Sequence, residues 1–226
     1  MVADLALFGL NPEDRPQLFV AERHLRASVD TLRKVEENLR VAPWSLIEGN
    51  LQIDVDPETT HLFILSDGRG DPIDLLEALN NWLPITPFEL GRIITVVNCG
   101  LLDANAKLKR WYDACIHFSD VVLLNNRVGL SSKWVSGFKA RLHQSSFPCH
   151  VELVKKGRVA NPALVLYPEP RRISLIFDEE ENLYADDDDA SDEEAVIRME
   201  EPYFERLLSG RRVKELPDIN KFLGSA

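Results

Sequence analysis

Four short apolar runs, HLFILS, RIITVVN, VVLLNN and HVELV, recur between His61 and Val154, with segments of helical periodicity between them. Successive side chains of a strand point to opposite faces, so a run that is apolar throughout has to be buried on both faces. The intervening segments supply the cover. DPIDLLEALNNWL reads as one helix, and LLDANAKLKRWYDAC as a second with Leu101, Ala104, Leu108, Tyr112 and Cys115 on one face. SSKWVSGFKARLH reads as a third, turning Trp134, Val135, Phe138 and Leu142 inward. The expected fold is therefore α/β, a mostly parallel sheet sandwiched by helices in the doubly wound manner.

Outside this region the signals weaken. Leu25, Val29, Leu32, Val35 and Leu39 recur at steps of three and four, which predicts a helix over Ala21 to Arg40. APWSLIEGNLQIDVDPETT reads as irregular chain with one short strand. ALVLY and ISLIF flank PEPRR and predict a hairpin or two edge strands. EPYFERLL predicts a last short helix, with Pro202 in its first turn. The expected layout is one domain over residues 1–177 with its core at 61–154, an acidic linker at 178–201 and a C-terminal helix or tail at 202–226.

The net charge of −11 is concentrated: Asp178 to Pro202 carries thirteen acids and one base, leaving the remainder near +1. Such a segment has too little apolar content to pack, and a mobile, solvated linker is expected there. A basic partner surface or Ca²⁺ is the competing reading of ADDDDASDEE, which lacks the spaced ligands and central glycine of an EF-hand loop. With no dense basic stretch, nucleic acid is not an expected partner. No apolar run reaches the length a bilayer needs, and the N-terminus has no basic region ahead of its short apolar stretch, so a cytoplasmic protein away from membranes is expected. Cys99, Cys115 and Cys149 are odd in number and form no C-x-x-C pair, which argues against disulfides and against a cysteine-rich zinc site.

In a sheet of this kind ligands bind beyond the carboxyl ends of the strands. SDGRGDP, NCG and NNRV emerge there, which makes Asp67, Arg69, Asn98, Asn125 and Arg127 the candidate ligand-binding residues. Asp67 and Arg69 are read either as a polar ligand clamp or as a surface ion pair, and Asn98 and Asn125 either as base-binding groups or as ties between loops. Asp71-Pro72 is a helix start, with Asp71 as cap. Cys99 is read either as a thiol activated by a helix N-terminus or as a half-buried packing residue. The five histidines have no metal-type spacing, no serine sits in a nucleophile elbow, and no carboxylate pair stands apart. No catalytic residue, metal or cofactor is assigned.

LFILSDGRGDPIDLLEAL, RIITVVN and DVVLLNN, in this order, resemble the CobW-type metal-chaperone GTPases of the P-loop class, over roughly His61 to Val154. That family has a strand ending Glu-Thr-Ser-Gly, then Asp-Pro and a helix, a strand ending Val-Val-Asp, and a strand ending Asn-Lys-x-Asp. The resemblance implies a P-loop-like fold. The chain departs from it where the chemistry lies. No G-x-x-x-x-G-K-[ST] occurs, and NPEDRPQ follows ADLALFGL where the phosphate loop is expected. Leu65 stands at the family's Glu, Val128 at its guanine-reading Asp, Asn126 at its Lys, and Cys-x-Cys-Cys is missing. The expected function is a non-catalytic domain acting through an unknown protein partner or self-association. A small-ligand binder or enzyme with a remodelled pocket is the alternative.

Overall fold

The computed structural model describes residues 1–25, 39–178 and 201–223. Helix α1 (Val2–Phe8) leads into strand β1 (Pro16–Ala21), which runs directly into α2 (Glu22–Leu25). Strands β2 (Arg40–Ile47), β3 (Asn50–Ile53) and β4 (His61–Leu65) follow, then α3 (Pro72–Trp82) and β5 (Ile94–Asn98). The rest is α4 (Cys99–Ala104), α5 (Lys109–His117), β6 (Val121–Asn125), α6 (Ser132–Gln144), β7 (His150–Leu153) and α7 (Pro162–Leu166).

The strands form two sheets. The first has the order β3-β2-β1-β4, and the second is β5-β6-β7. β1 lies parallel to both β2 and β4, so Leu18 faces Val41 on one side and Phe63 on the other. β2 and β3 form an antiparallel hairpin, which makes the first sheet mixed. Its turn is Glu48-Gly49, both at positive φ (51° and 78°), the geometry that suits the twist of a two-residue hairpin. The second sheet is parallel throughout, with Asn98 opposite Asn125 at its carboxyl edge.

Alternation along the strands sorts the core into layers. Val121 and Leu123 of β6 pack with Leu5, Val159 and Val165, whereas Val122 and Leu124 face Leu102, Tyr112, Phe138 and Leu142 of α4 to α6. In the first sheet Leu18 and Val20 meet Ala6, while Phe19 and Ala21 meet Trp44, Leu51 and Ala78 of α3. Helix α1 therefore spans both sheets on one face, with Leu5 on the second and Ala6 on the first. Gly9 ends it without a positive φ; a Cβ there would lie 2.6 Å from Leu166 and 2.7 Å from the Leu5 carbonyl. Its use is close approach of α1 to α7.

Several expectations need correction. Ala21 and Arg40, the ends of the expected first helix, are strand residues; Glu22–Leu25 is helical, and 26–38 lie outside the described residues. β1 was not anticipated from the sequence, and the stretch expected to hold one short strand holds β3 and all of β2 but Arg40 and Val41. The second helix is broken into α4, a 3₁₀ turn at Ala106–Leu108 and α5. Asn105 causes the break: its side chain donates to the Leu101 carbonyl at 3.0 Å and competes with the helical backbone. ALVLY is helical, because Asn161 caps the Leu164 N–H at 3.1 Å and Pro162 opens the first turn. ISLIF forms turns, with the Ile173 and Ser174 N–H groups both on the His117 carbonyl. EPYFERLL is also a set of turns rather than a helix. The single sheet is two. Of the acidic linker expected over 178–201, residues 179–200 lie outside the described residues, and its two ends are packed rather than solvated: Asp178 pairs with Arg172 and Glu201 is buried.

Residues 201–223 form a strap against the helices. Tyr203 and Phe204 lie on Phe118, with ring centroids 5.7 and 5.9 Å away. Arg212 bonds Asp74 at 2.7 Å and Glu77 at 2.6 Å on α3. Ile219, 4% exposed, enters the core under α5 and α6, a burial that contributes about 2 kcal/mol.

Candidate functional site

Local chemistry builds each strand C-terminus and engages Asp67 and Asn98, while among the described residues the Arg69 and Asn125 side chains make no hydrogen bond and the Arg127 Nε is buried without a partner. After β4, Asp67 turns its carboxylate inward: Oδ1 accepts from the Arg69 and Gly70 N–H groups, both at 2.9 Å. The other oxygen faces the Arg23 guanidinium, its ion-pair partner from α2. The Asp67 side chain is 3% exposed. Gly68 takes positive φ (64°), which folds the loop back over that carboxylate. Asp67 thus supplies, from within the chain, the anion to which these loop N–H groups would otherwise donate in a ligand. Arg69 is not its ion-pair partner: it contributes its N–H, and its carbonyl accepts from Asn220 of the strap at 3.0 Å.

Asp71 does what its neighbours predict. Its carboxylate accepts from the Ile73 N–H at 2.9 Å with Pro72 in the first turn of α3. Burial raises its pKa, opposed by that hydrogen bond.

After β5, the Asn98 side chain caps α4 through the Leu101 N–H at 3.1 Å, and its own N–H donates to the Tyr112 hydroxyl at 3.2 Å. After β6, Asn126 takes positive φ (50°) and its carbonyl accepts from the Gly100 N–H at 3.1 Å. This backbone bond ties the two loops together, a job expected of the Asn98 and Asn125 side chains. A Cβ on Gly100 would stand 3.3 Å from that carbonyl, so the approach favours glycine. Arg127 reaches across to the Val154 carbonyl at 3.1 Å, past the end of β7, and Val128 is 97% exposed.

Cys99 lies at the first position of α4, where helix N–H groups favour a thiolate. Burial wins: the side chain is wholly enclosed and its thiol is pushed up to about 11, with only partial opposition from Arg127. The activated-thiol reading is therefore corrected.

The structure thus brings Asn98, Asn125 and Arg127 together at the edge of the second sheet and sets Asp67 and Arg69 at the end of the first. Two clefts lie elsewhere. One of about 340 Å³ is bounded by Glu22, Trp44, Ser45 and Gln52, and one of about 720 Å³ lies under the strap; neither is lined by any of the five candidates. Arg23 was missed as a site residue, since only the fold shows that β1 ends beside β4. Among the described residues no three His, Cys, Asp or Glu side chains gather as a metal requires, and no helix is long and apolar enough to cross a membrane.

The first parallel strand is β1, so the strand-to-helix junction to compare with a phosphate loop is AERHL, where β1 runs into α2, not NPEDRPQ. It has neither glycine nor lysine. What the fold defines is an α/β protein with one mixed and one parallel sheet flanked by helices. No family model, no curated protein and no solved structure matches the chain.

Proposed function

We propose that this chain is a non-catalytic relative of the P-loop GTPase fold that works by binding another protein. The observation that carries the reading is the state of Asp67. The carboxylate best positioned to serve a nucleotide, metal or substrate is held by two N–H groups of its own loop and by Arg23. Asn98 is likewise committed to capping a helix, and Arg127 to a carbonyl. Without a glycine cradle, a lysine or a base-reading carboxylate, phosphoryl transfer has no means of positioning or of stabilising charge. Nucleic acid is a poor fit because the chain has no dense basic stretch to meet a phosphate backbone.

A thermal-shift series with GTP, GDP and ATP, each with Mg²⁺, tests the reading. The expected result is no stabilisation at millimolar nucleotide. A saturable rise in Tm at micromolar nucleotide overturns it, because a ligand specific for the native state must stabilise it.

A further inference from the structure

The larger cleft is bordered by four basic residues, Lys107, Arg110, Arg211 and Arg212, and by one acid, Glu215. It measures about 720 Å³ and runs between the 3₁₀ turn with Lys107 and the start of α5 with Arg110 on one side, and the strap, with Leu207, Val213, Leu216 and Pro217, on the other. The strap makes a bridged turn between Arg206 and Arg212, and Gly210 at positive φ (82°) closes its tip. This holds Leu207, Leu208 and Val213 outward, the first 52% and the last 45% exposed and Leu208 entirely so. Arg211 and Arg212, which also border the cleft, are spent: Arg211 pairs with Glu215, and Arg212 with Asp74 and Glu77. Lys107 and Arg110 have no ion-pair partner among the described residues. They stand three positions apart across a helical turn, so both charges fall on one side.

We propose that this cleft docks a segment of a partner protein in which acidic residues alternate with large apolar ones. The inference rests on the interaction reading above and names the partner's chemistry. Carboxylates meet Lys107 and Arg110, and apolar side chains cover Leu207 and Val213. Charge complementarity selects the acidic partner, because a basic segment would meet these two cations. The apolar half of the lining selects against a plain acidic run. The chain's own ADDDDASDEE carries no apolar side chain larger than alanine, so it matches the charges and leaves the leucine and valine uncovered.

The test is fluorescence anisotropy on the full chain. The probes are a labelled short peptide of Glu, Asp, Leu and Phe in mixed order, its counterpart with Lys for each acid, and one with Ala for each Leu and Phe. The first should bind saturably, more weakly as salt rises, and the other two should not. Lys107→Glu with Arg110→Glu, both exposed, should weaken binding about tenfold or more, and Leu207→Asp should do so independently. Thermal melts of the variants verify folding. No binding, equal binding of the basic peptide, or indifference to all three substitutions overturns the proposal. So does binding that emerges only when Asp186 to Asp189 are replaced by Ser, which assigns the cleft to the chain's own acids. These failures are separable from that of the functional reading, which turns on nucleotide.

Discussion

One guanidinium nitrogen of Arg172 sits on both oxygens of Asp120, at 3.0 and 3.1 Å, in a site where Asp120 is wholly buried and the Arg172 side chain is 2% exposed. The same carboxylate accepts from the Ile93 and Arg171 N–H groups, each at 2.7 Å. It thereby ties the chain after α7 to the amino-terminal edge of the second sheet. Removing one partner leaves a buried charge uncompensated, so Arg172→Ala is expected to cost about 3–5 kcal/mol in urea denaturation. Replacing both, with Asp120→Leu and Arg172→Met, should recover only part of that. The two backbone N–H groups remain unpaired, at about 1–3 kcal/mol each.

Stability should fall on the acid side through Glu201. Its carboxyl is 4% exposed, bonded to Ser174 at 2.6 Å and to His117 at 3.0 Å. Burial, the largest influence, would raise its pKa; the bonds with His117, Ser174 and the Tyr203 N–H together outweigh it and hold the group below its ordinary 4.5. A carboxyl depressed in the folded state contributes stability above its unfolded value, lost as pH falls through the folded one. Glu77 is lowered too: burial raises it, and Arg206 and Arg212 prevail. Denaturation at pH 7 and at steps below 4.5 should therefore show a decline. Glu201→Gln should be less stable at pH 7 and decline less steeply, and adding Glu77→Gln should flatten the curve further.

The cysteines should be silent in the native protein. All three are buried, with Cys99 and Cys149 pushed up to about 11 by burial and Cys115 higher still. A thiol reagent at pH 8 needs thiolate and access, and the fold withholds both. No thiol should react on the timescale of minutes, and three should titrate in denaturant. Rapid native reaction of Cys99 would revive the activated-thiol reading.

The parts of the fold legible in the sequence are those where one physical demand dominates. β4 to β6 were legible because their runs are apolar on both faces, and β7, which carries His150 and Glu152 on one face, because it continues the same strand–helix alternation. β1 was not: Pro16 and Gln17 interrupt its apolar run. Gln17 is nevertheless 1% exposed, its amide accepting from the Asp56 N–H and the Thr59 hydroxyl and donating to the Asp54 carbonyl. A buried polar residue satisfied by a distant loop has no local signature. β2 is partly exposed, so its pattern reads as loop. At the site, the caps Asp71 and Asn98 are local chemistry, and Asp71 was legible. The Arg23–Asp67 pair depends on β1 and β4 lying side by side, which no spacing reports.

That pair separates the two functional readings. If the Asp67 carboxylate serves a ligand, Asp67→Ala removes binding and leaves the domain folded. With two N–H groups and Arg23 depending on it, we expect instead a structural loss. The Arg69 and Gly70 N–H groups would lose their acceptor, and Arg23 would turn to solvent. The half-buried Gly70 N–H left unpaired costs about 1 kcal/mol, the Arg69 N–H is open to water, and Arg23 is 60% exposed so its ion pair adds little. Asp67→Asn, which keeps an acceptor oxygen, should recover most of the loss. Arg69→Ala, which keeps both the N–H and the carbonyl that the fold uses, should change stability by less than about 0.5 kcal/mol. Urea denaturation of the three variants decides. A fully stable Asp67→Ala shifts the balance to a ligand site, and a destabilised one with Asn rescue to a scaffold.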